Sequence, residues 1–533
     1  MSRSVWHRIG ILLFVIQLSN SAGATVQDSI RVAHFFQLSA IAGDGSQAPF
    51  LLTANRQGIP SLECSNGYAR YGIEINGGIG KSSSWGYSAA ADVVAGYNMC
   101  SSVSVQQLYA GISWKWLYLN IGIKERFAEM RGNTLRTGPG CDDPLFGKLY
   151  GNSLGELGTG GLLYSGNSRP VPQIRLDVPE YVDIPGTDSW LKLRGHIAYG
   201  IFLDHDFQKK FTYSNPNARY GKNILYHSKS LFLKVSNQDV FPLEAEGGLE
   251  MYSQFGGDIY THSKGKFLSM PRGIKDYFKA FIPLSGDEST PTTEQSNISG
   301  NQMGNWHLAF TLKTNPVDIR IYGEHLFEDF SQLFFFEYQS NRAGKRTITF
   351  YPWRDIQIGL SITNKTGFLR FISNIQYEYT SMYDQSGAAY NDPNEYYKEQ
   401  MDGVDDYYNH SIYPGWHYYG MGIGNPLAVS PLYNSNGSLV FQGNRFKAHC
   451  VGVNGQFQSD MLKYRLVYTY SENWGTYFNP FNEKKYTTSL LADVIFTPAR
   501  SRWMFSLSLA YDKSNYIGNN WGAMLSLARI GVF

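Results

Sequence analysis

A chain of 533 residues is long enough for several soluble domains or for one large closed sheet. Only 17% of the residues are charged and 15% are aromatic, yet the mean hydropathy is −0.30, which excludes a bundle of apolar membrane helices. The net charge of +2 and the lack of a basic run interleaved with aromatics argue against a nucleic-acid partner. Half-apolar strands joined by polar loops give this composition, which therefore favours a large β-barrel.

The N-terminus is typical of a secretory signal peptide. Arg3 and Arg8 supply a basic start, residues 9–18 form a short apolar core, and residues 22–24 (Ala-Gly-Ala) supply a small-x-small cleavage site. The apolar core is too short to span a bilayer, which argues against an uncleaved anchor. We therefore predict a signal peptide at 1–24 and an exported mature chain.

The next segment, residues 25–66, shows no clear barrel strand. Residues 30–40 fit a short amphipathic helix or a strand equally well. We expect this partly helical segment on the periplasmic side, followed by the barrel at 67–533.

The four cysteines fit no CxxC metal spacing, and we predict neither a metal site nor a cofactor. The exported compartment permits disulfides, so a pair between Cys100 and Cys141 and isolated thiols both remain open. The cysteines are Cys64, Cys100, Cys141 and Cys450.

Apolar and polar residues alternate with a period of two along much of the chain, as in a membrane barrel whose strands face lipid and lumen in turn. In residues 243–255, Leu249 lies on the apolar parity, whereas Glu244, Glu246 and Glu250 lie on the other. These carboxylates are expected to line the lumen as wall residues paired with bases. The alternation predicts an all-β, transmembrane antiparallel β-barrel of about 18 strands. The candidate strands lie near 68–79, 87–97, 103–114, 117–125, 172–182, 191–201, 225–236, 243–255, 305–313, 317–327, 333–339, 356–364, 368–380, 446–457, 462–471, 486–496, 503–511 and 521–533.

Aromatic residues mark the ends of many candidate strands, where an aromatic girdle meets the lipid headgroups. The chain ends at Phe533 on an amphipathic strand, which is the usual signal for the barrel-assembly machinery. We therefore expect a Gram-negative outer-membrane location, with that machinery, outer-membrane lipids and lipopolysaccharide as partners. The tryptophans of the predicted girdle are Trp114, Trp116, Trp190, Trp306, Trp503 and Trp521.

Four long connections, 128–170, 203–224, 261–304 and notably 381–445, are expected on the extracellular side, because the periplasmic turns of such barrels are short. Within the last, residues 391–427 combine many tyrosines and one tryptophan with Asp, Asn and His. Aromatic faces stack on sugars while amides and carboxylates bind hydroxyls, so this loop suits glycan recognition. The alternative is that the same aromatics pack the loop onto the barrel mouth.

Catalytic motifs are weak. His410 and Ser411 are adjacent in sequence, and adjacent residues seldom take up the geometry of a nucleophile and its base. Residues 151–155 match GxSxG by letter but lie in a predicted glycine-rich loop instead of a strand-to-helix turn. We therefore predict that the protein is not an enzyme and has no catalytic residues.

Three segments resemble the Wzi family of capsule-assembly outer-membrane proteins: YNHSIYPGWHYYGMGIGN at 408–425, SWLKLRGHIAYGIFLD at 189–204, and residues 225–237 followed by 241–257. The resemblance implies an eighteen-stranded barrel with a small helical periplasmic part. It also implies a lectin-like role at the cell surface, where capsular or other surface polysaccharide is bound and assembled. A porin or oligosaccharide channel remains the alternative. The candidate glycan-binding or loop-shaping residues of this loop are Tyr408, Asn409, His410, Tyr413, Trp416, Tyr418, Tyr419 and Gly420.

Overall fold

The computed structural model describes residues 30–78, 84–126, 157–283, 299–328, 336–340, 346–350, 355–367, 371–390, 401–457 and 461–532. Within them, eighteen antiparallel strands each pair with the next, and the last pairs with the first, so the sheet closes on itself. The predicted all-β barrel of about 18 strands is confirmed.

The barrel strands are β1 (Arg31–Gly45), β2 (Ser65–Gly78), β3 (Trp85–Tyr97), β4 (Val103–Trp114), β5 (Leu117–Ile123), β6 (Gln173–Asp183), β7 (Leu191–Ile201), β8 (Leu225–Val235), β9 (Leu243–Phe255), β10 (Asn301–Lys313), β11 (Val317–Glu328), β12 (Ile356–Asn364), β13 (Asn374–Ser381), β14 (Phe446–Gln456), β15 (Leu462–Gly475), β16 (Pro480–Phe496), β17 (Trp503–Ser514) and β18 (Asn520–Val532). The helices are α1 (Phe50–Thr53), α2 (Phe207–Phe211) and α3 (Ile274–Phe281), with 3-10 turns at Thr212–Ser214 and Pro431–Tyr433. Short strands outside the barrel are Arg219–Lys222, Gly257–Thr261, Gly265–Met270, Phe336–Ser340, Arg346–Phe350, Ser386–Tyr390, Met401–Val404, His417–Tyr418 and Met421–Gly422.

Strand β1 corrects the expectation that residues 25–66 precede the barrel. It pairs with β18 on one side and with β2 on the other, so the barrel begins at Arg31 and not at residue 67. Its lumen-facing parity includes Phe35 and Ile41, which are buried against other apolar groups. Because both parities of β1 carry apolar residues, the alternation that reveals the other strands is obscured here.

Helix α1 also departs from the prediction, because it lies inside the lumen. Leu52 is fully buried in a cluster with Val467 and Leu491 of the barrel wall, and the backbone N–H of Phe50 donates to Asp512 Oδ2 at 2.8 Å. A second correction concerns the candidate strand at 333–339: Phe336–Ser340 pairs with Arg346–Phe350 in a separate hairpin, outside the eighteen-stranded sheet.

The two ends of the barrel differ in the length of their connections. At one end, β5–β6, β7–β8, β9–β10 and β13–β14 are joined by long segments; at the other, β4–β5 and β10–β11 are joined by residues 115–116 and 314–316. We call these the long-loop end and the short-turn end. Arg31 and Val532, where the paired sheet starts and finishes, lie at the short-turn end, and all four predicted long connections share the opposite end.

The outer face is apolar, as the face toward a bilayer must be. Leu231, Ile321 and Leu525 are 55%, 51% and 63% exposed on outward parities of three different strands. Exposed Trp114, Trp116 and Trp190 lie at the short-turn end and Trp521 at the long-loop end, where the predicted girdle would place them; Trp306 and Trp503 are half-buried. In the described residues no helix is both long and apolar enough to span a membrane.

The lumen wall carries paired charges, as the alternation predicts. Glu244 and Glu246 are buried and lie 2.9 Å and 3.0 Å from Lys234 Nζ and Arg320 Nη1, respectively. Glu250 contacts the ring of His307 at 3.3 Å. These carboxylates are therefore wall residues with basic partners.

The described cysteines, Cys64, Cys100 and Cys450, form no disulfide with one another, and the Cys450 thiol donates to the Leu157 carbonyl at 3.4 Å. Cys141 lies outside the described residues, as do the signal peptide at 1–24, residues 151–155 and Phe533, so the expectations placed on them stay predictions.

Candidate functional site

The long-loop half of the lumen is filled by chain that folds inward from three connections. We call this the lumen plug and define it as residues 46–64, 157–172 and 405–445. Its apolar side chains form one buried cluster with wall residues of β8 to β11 and of β14. The cluster is a contiguous apolar core inside the lumen.

Trp416 lies at the centre of the lumen plug and is completely buried. Its indole Nε1 donates to the Leu163 carbonyl at 2.9 Å. Its ring stacks parallel to that of Tyr226 at 6.3 Å and meets Tyr252 and Phe202 edge-on. Buried tryptophans require a partner for the indole N–H, and here the partner belongs to a different connection, so Trp416 joins two segments of the plug to the wall.

Tyr408 is also completely buried, and its hydroxyl, backbone N–H and carbonyl are all hydrogen-bonded. Its hydroxyl donates to the Leu162 carbonyl and accepts from the Asn425 N–H at 3.1 Å, and its own N–H donates to Glu328 at 2.9 Å. Asn409 Nδ2 donates to the Phe441 carbonyl at 2.9 Å, and Asn409 Oδ1 accepts from the Phe441 N–H at 2.8 Å. The loop is therefore tied to itself and to the wall.

Three further tyrosines tie the same loop to neighbouring connections. The Tyr413 hydroxyl donates to Gly256 at 3.3 Å and that of Tyr418 donates to Leu203 at 2.7 Å. Tyr419 is half-buried beneath the guanidinium of Arg169, which lies 4.6 Å from its ring centre. These contacts join the 405–445 segment to the β7–β8 and β9–β10 connections.

Left-handed backbone shapes this loop. Tyr408 and Tyr419 have φ of 70° and 52°, values that bulky residues seldom adopt and that surrounding packing must maintain. Gly420 follows with φ of 76°, and a Cβ there would lie 3.2 Å from Leu432. Tyr419 and Gly420 therefore form a tight turn inside the plug.

The two histidines of the loop are neutral at neutral pH. Burial lowers the pKa of His410 to about 4, with Arg219 adding to the effect, and burial lowers the pKa of His417 to about 4. His410 Nδ1 accepts from the N–H groups of Ile412 and Tyr413 at 3.1 Å and 3.3 Å, so this nitrogen is occupied and is not directed at Ser411. Within the described residues no cluster of His, Cys, Asp and Glu suits a metal.

The predicted glycan-binding residues therefore divide into two groups. His410 and Tyr419 are partly exposed. The other five are buried, which supports the loop-shaping alternative for them and leaves no surface for a polymer while the plug is folded: Tyr408, Asn409, Tyr413, Trp416 and Tyr418.

A different surface at the long-loop end combines amide and hydroxyl groups with an exposed tyrosine. The segments 213–219 and 433–438 are rich in Asn and Ser, and Asn215 Nδ2 donates to the Asn436 carbonyl at 3.3 Å. Tyr213 is 77% exposed beside them. We call these two segments and the adjoining cavity the mouth surface.

The adjoining cavity has a volume of about 470 Å³ and opens to the same end of the barrel. Hydroxyl and amide groups dominate its lining, with a single carboxylate, Glu63. The sequence alone does not reveal this surface, because runs of Asn and Ser are ordinary loop signals. Only the fold brings these two segments together. The polar lining residues are Ser46, Gln47, Glu63, Cys64, Ser65, Asn98, Tyr433, Asn434 and Ser435.

Comparison with known proteins gives the fold. No family model and no curated protein matches the sequence. Among solved structures, Escherichia coli Wzi, described as a carbohydrate-binding β-barrel involved in Group 1 capsule assembly, is similar with a TM-score of 0.52 and 13% identity, over 97% of this chain and 87% of that one.

Two porin-like barrels also match. Pseudomonas aeruginosa OprD has a TM-score of 0.44 and 8% identity, over 96% of this chain and 97% of that one. Acinetobacter baumannii OccAB4 has 0.43 and 8%, over 95% and 99%. The likeness to Wzi shows a shared large barrel of the Gram-negative outer-membrane kind, whereas membership of the Wzi family stays a prediction.

Proposed function

We propose that this protein is an outer-membrane, lectin-like β-barrel that binds a surface polysaccharide at its mouth surface and supports capsule assembly or attachment. The long-loop end faces outward and the short-turn end faces the periplasm, as in other barrels of this kind. The protein acts without catalysis and without a cofactor. Its partners are capsular or another surface polysaccharide, outer-membrane lipids with lipopolysaccharide, and the barrel-assembly machinery during biogenesis.

The observation that carries this proposal is the lumen plug. Trp416 and Tyr408 are completely buried inside the barrel, and each donates a hydrogen bond to a carbonyl of the β5–β6 connection. A barrel filled in this way serves better as a rigid platform than as a conduit. Binding surfaces on rigid scaffolds lose less entropy when a ligand binds.

The chemistry of the mouth surface supports a carbohydrate ligand. Tyr213 exposes an aromatic face, and Asn217 and Asn436 are exposed beside it. Sugars are bound by stacking of their C–H faces on aromatic rings and by amide hydrogen bonds to hydroxyls. The described function of Wzi as a carbohydrate-binding barrel in capsule assembly motivates the choice of a capsular polymer.

Surface-polysaccharide retention is the direct test. In a deletion strain we expect cell-bound polymer to fall several-fold and polymer in the medium to rise, with total synthesis unchanged. Wild-type protein restores retention; a Tyr213→Ala/Asn436→Ala variant, which removes the stacking face and one amide, fails to restore it. Tyr477→Ala is the matched control, since Tyr477 is an exposed tyrosine outside the mouth surface. Unchanged cell-bound polymer in the deletion strain contradicts the proposal.

A channel is the second candidate, favoured by the charged wall of the short-turn half. Ion pairs line the lumen there: Lys234 pairs with Glu244 and Glu246, and Arg320 pairs with Glu246. Charged groups of this kind are typical of the hydrated interior of a porin. If the plug closes the barrel, the purified wild-type protein in a planar bilayer shows no steady openings of porin size. Steady openings that an oligosaccharide blocks would instead establish the channel.

A further inference from the structure

Helix α3 lies on the outside of the barrel. On β8, Leu231, Leu233 and Val235 are exposed toward the bilayer, and His227 and Lys229 share their parity. The ring of Phe281 lies 5.9 Å from that of His227. The helix therefore covers the outward face of the wall near the long-loop end, and it is not part of the lumen plug.

Three wall side chains fix the C-terminal half of α3 in this position. The Tyr199 hydroxyl donates to the Tyr277 carbonyl at 3.0 Å, and Gln302 Nε2 donates to the Lys279 carbonyl at 3.1 Å. The ammonium of Lys229 donates to the Phe281 carbonyl. The last carbonyls of a helix have no hydrogen-bond donor within the helix, and polar side chains on the outer wall need acceptors because no water reaches them in the bilayer. Each group therefore supplies the partner that the other lacks.

The wall residues beneath the helix indicate its depth relative to the bilayer. Lys229 is directly opposite Ile197 in the register of β7 and β8, and Ile197 is 42% exposed toward the bilayer. Leu231, two residues further toward the short-turn end, is 55% exposed. Helix α3 therefore borders the apolar band on its long-loop side, where the headgroups of one leaflet begin.

The remaining surface of α3 combines apolar and basic groups. Ile274, Phe278 and the following Ile282 are 78%, 64% and 53% exposed. At 100° per residue these three lie on one side of the helix, and Lys275 and Lys279 lie next to them. This arrangement is typical of helices that lie in a membrane interface with apolar side chains inserted.

The charge of this surface is positive. Arg272 is exposed immediately before the helix and adds to the two lysines, whereas the carboxylate of Asp276 accepts a hydrogen bond of 2.7 Å from the Gly273 N–H at the helix start. Among the described residues of this surface, three cationic side chains thus accompany one carboxylate that already caps the helix. An anionic headgroup complements this surface, whereas a second copy of the same face would bring like charges together.

We propose that α3 is a binding site for a phosphorylated glycolipid of the outer leaflet. Ile274, Phe278 and Ile282 contact its acyl chains, and Arg272, Lys275 and Lys279 bind its phosphates. The inference rests on the outward orientation of the long-loop end in the proposed function and adds a ligand at a separate surface. The bound lipid lies against the outer wall of the barrel beside β7 to β10.

Native mass spectrometry of the full barrel in dodecyl maltoside tests this site. The probe is bisphosphoryl lipid A, compared with the same lipid after removal of its phosphates and with phosphatidylglycerol. We expect bisphosphoryl lipid A to bind most tightly, and Lys275→Gln/Lys279→Gln to weaken it by about tenfold or more. Phe278→Ser weakens all lipids. The matched control is Lys209→Gln/Lys210→Gln, which removes two exposed lysines from α2 at the same end of the barrel.

Three results would overturn the inference: equal binding of the dephosphorylated lipid, equal binding of phosphatidylglycerol, or unchanged lipid A binding by Lys275→Gln/Lys279→Gln. The comparison of lipids on wild-type protein stands even if a variant fails to assemble. Polysaccharide retention by the Lys275→Gln/Lys279→Gln strain separates this inference from the proposed function, since the mouth surface is intact in it.

Discussion

Trp416→Ala is expected to open the lumen plug while the barrel stays assembled. The change removes a completely buried indole, its hydrogen bond to Leu163 and its packing on Tyr226 and Tyr252. Removing a buried tryptophan destabilises its surroundings by about 3–5 kcal/mol. The strands of the wall are held by their own hydrogen-bonded pairing, so the loss falls on the plug. Protease treatment of intact cells should then cleave within 405–445, and conductance in a planar bilayer should rise.

Trp116→Ala is the matched control, because Trp116 is 50% exposed at the short-turn end, opposite the end that the plug fills. It should leave both protease resistance and conductance at the wild-type level. If Trp416→Ala behaves like this control, Trp416 does not hold the plug closed, and the barrel is not a rigid platform for the reason proposed above.

Arg70→Ala is expected to destabilise the whole barrel. The Arg70 guanidinium, 5% exposed, contacts Asp92 and lies 3.0 Å from Glu125, and both carboxylates are buried in the lumen. Truncation leaves two adjacent carboxylates without their cation, and breaking a buried ion pair from one side costs about 3–5 kcal/mol. The temperature at which the folded form disappears in heat-modifiability gels should fall by several degrees or more.

The controls separate charge from packing. Arg70→Ala/Glu125→Gln removes one of the two stranded charges and should recover part of the lost stability. Lys222→Ala breaks a pair with Asp206 whose side chains are 38% and 53% exposed, so it should change stability by about 0–1 kcal/mol. Equal effects of Arg70→Ala and Lys222→Ala would show that the lumen network adds little to stability.

The barrel was predictable because lipid and lumen impose opposite demands on neighbouring residues. Leu243 is exposed and Glu244 buried, as the alternation requires, and this pattern recurs in most strands. Strand β1 escaped detection where the rule fails: its inward residues pack against other apolar groups instead of water, so Phe35 and Ile41 stand where polar residues are expected.

The candidate site was harder to predict than the fold. Composition identifies the 405–445 loop as rich in aromatics but does not say which aromatic faces reach solvent, and Trp416 proved completely buried. The mouth surface depends on the approach of Asn215 to Asn436, residues far apart in the chain. No local pattern encodes such a contact, because it arises only when two connections fold over the same barrel mouth.

The seam between the first and last strands sets an order of events in folding. The Ser39 hydroxyl donates a hydrogen bond to Ser526 across this seam at 2.8 Å, and all of strands β2 to β17 lie between the two residues in the chain. Contacts between such distant residues form slowly, since the intervening chain must first be ordered. The bond from Phe50 to Asp512 requires β17 to be in place beside this seam. The N-terminal piece of the plug is thus synthesised early, but its bond to Asp512 forms only after nearly the whole chain has been made and β17 is in place.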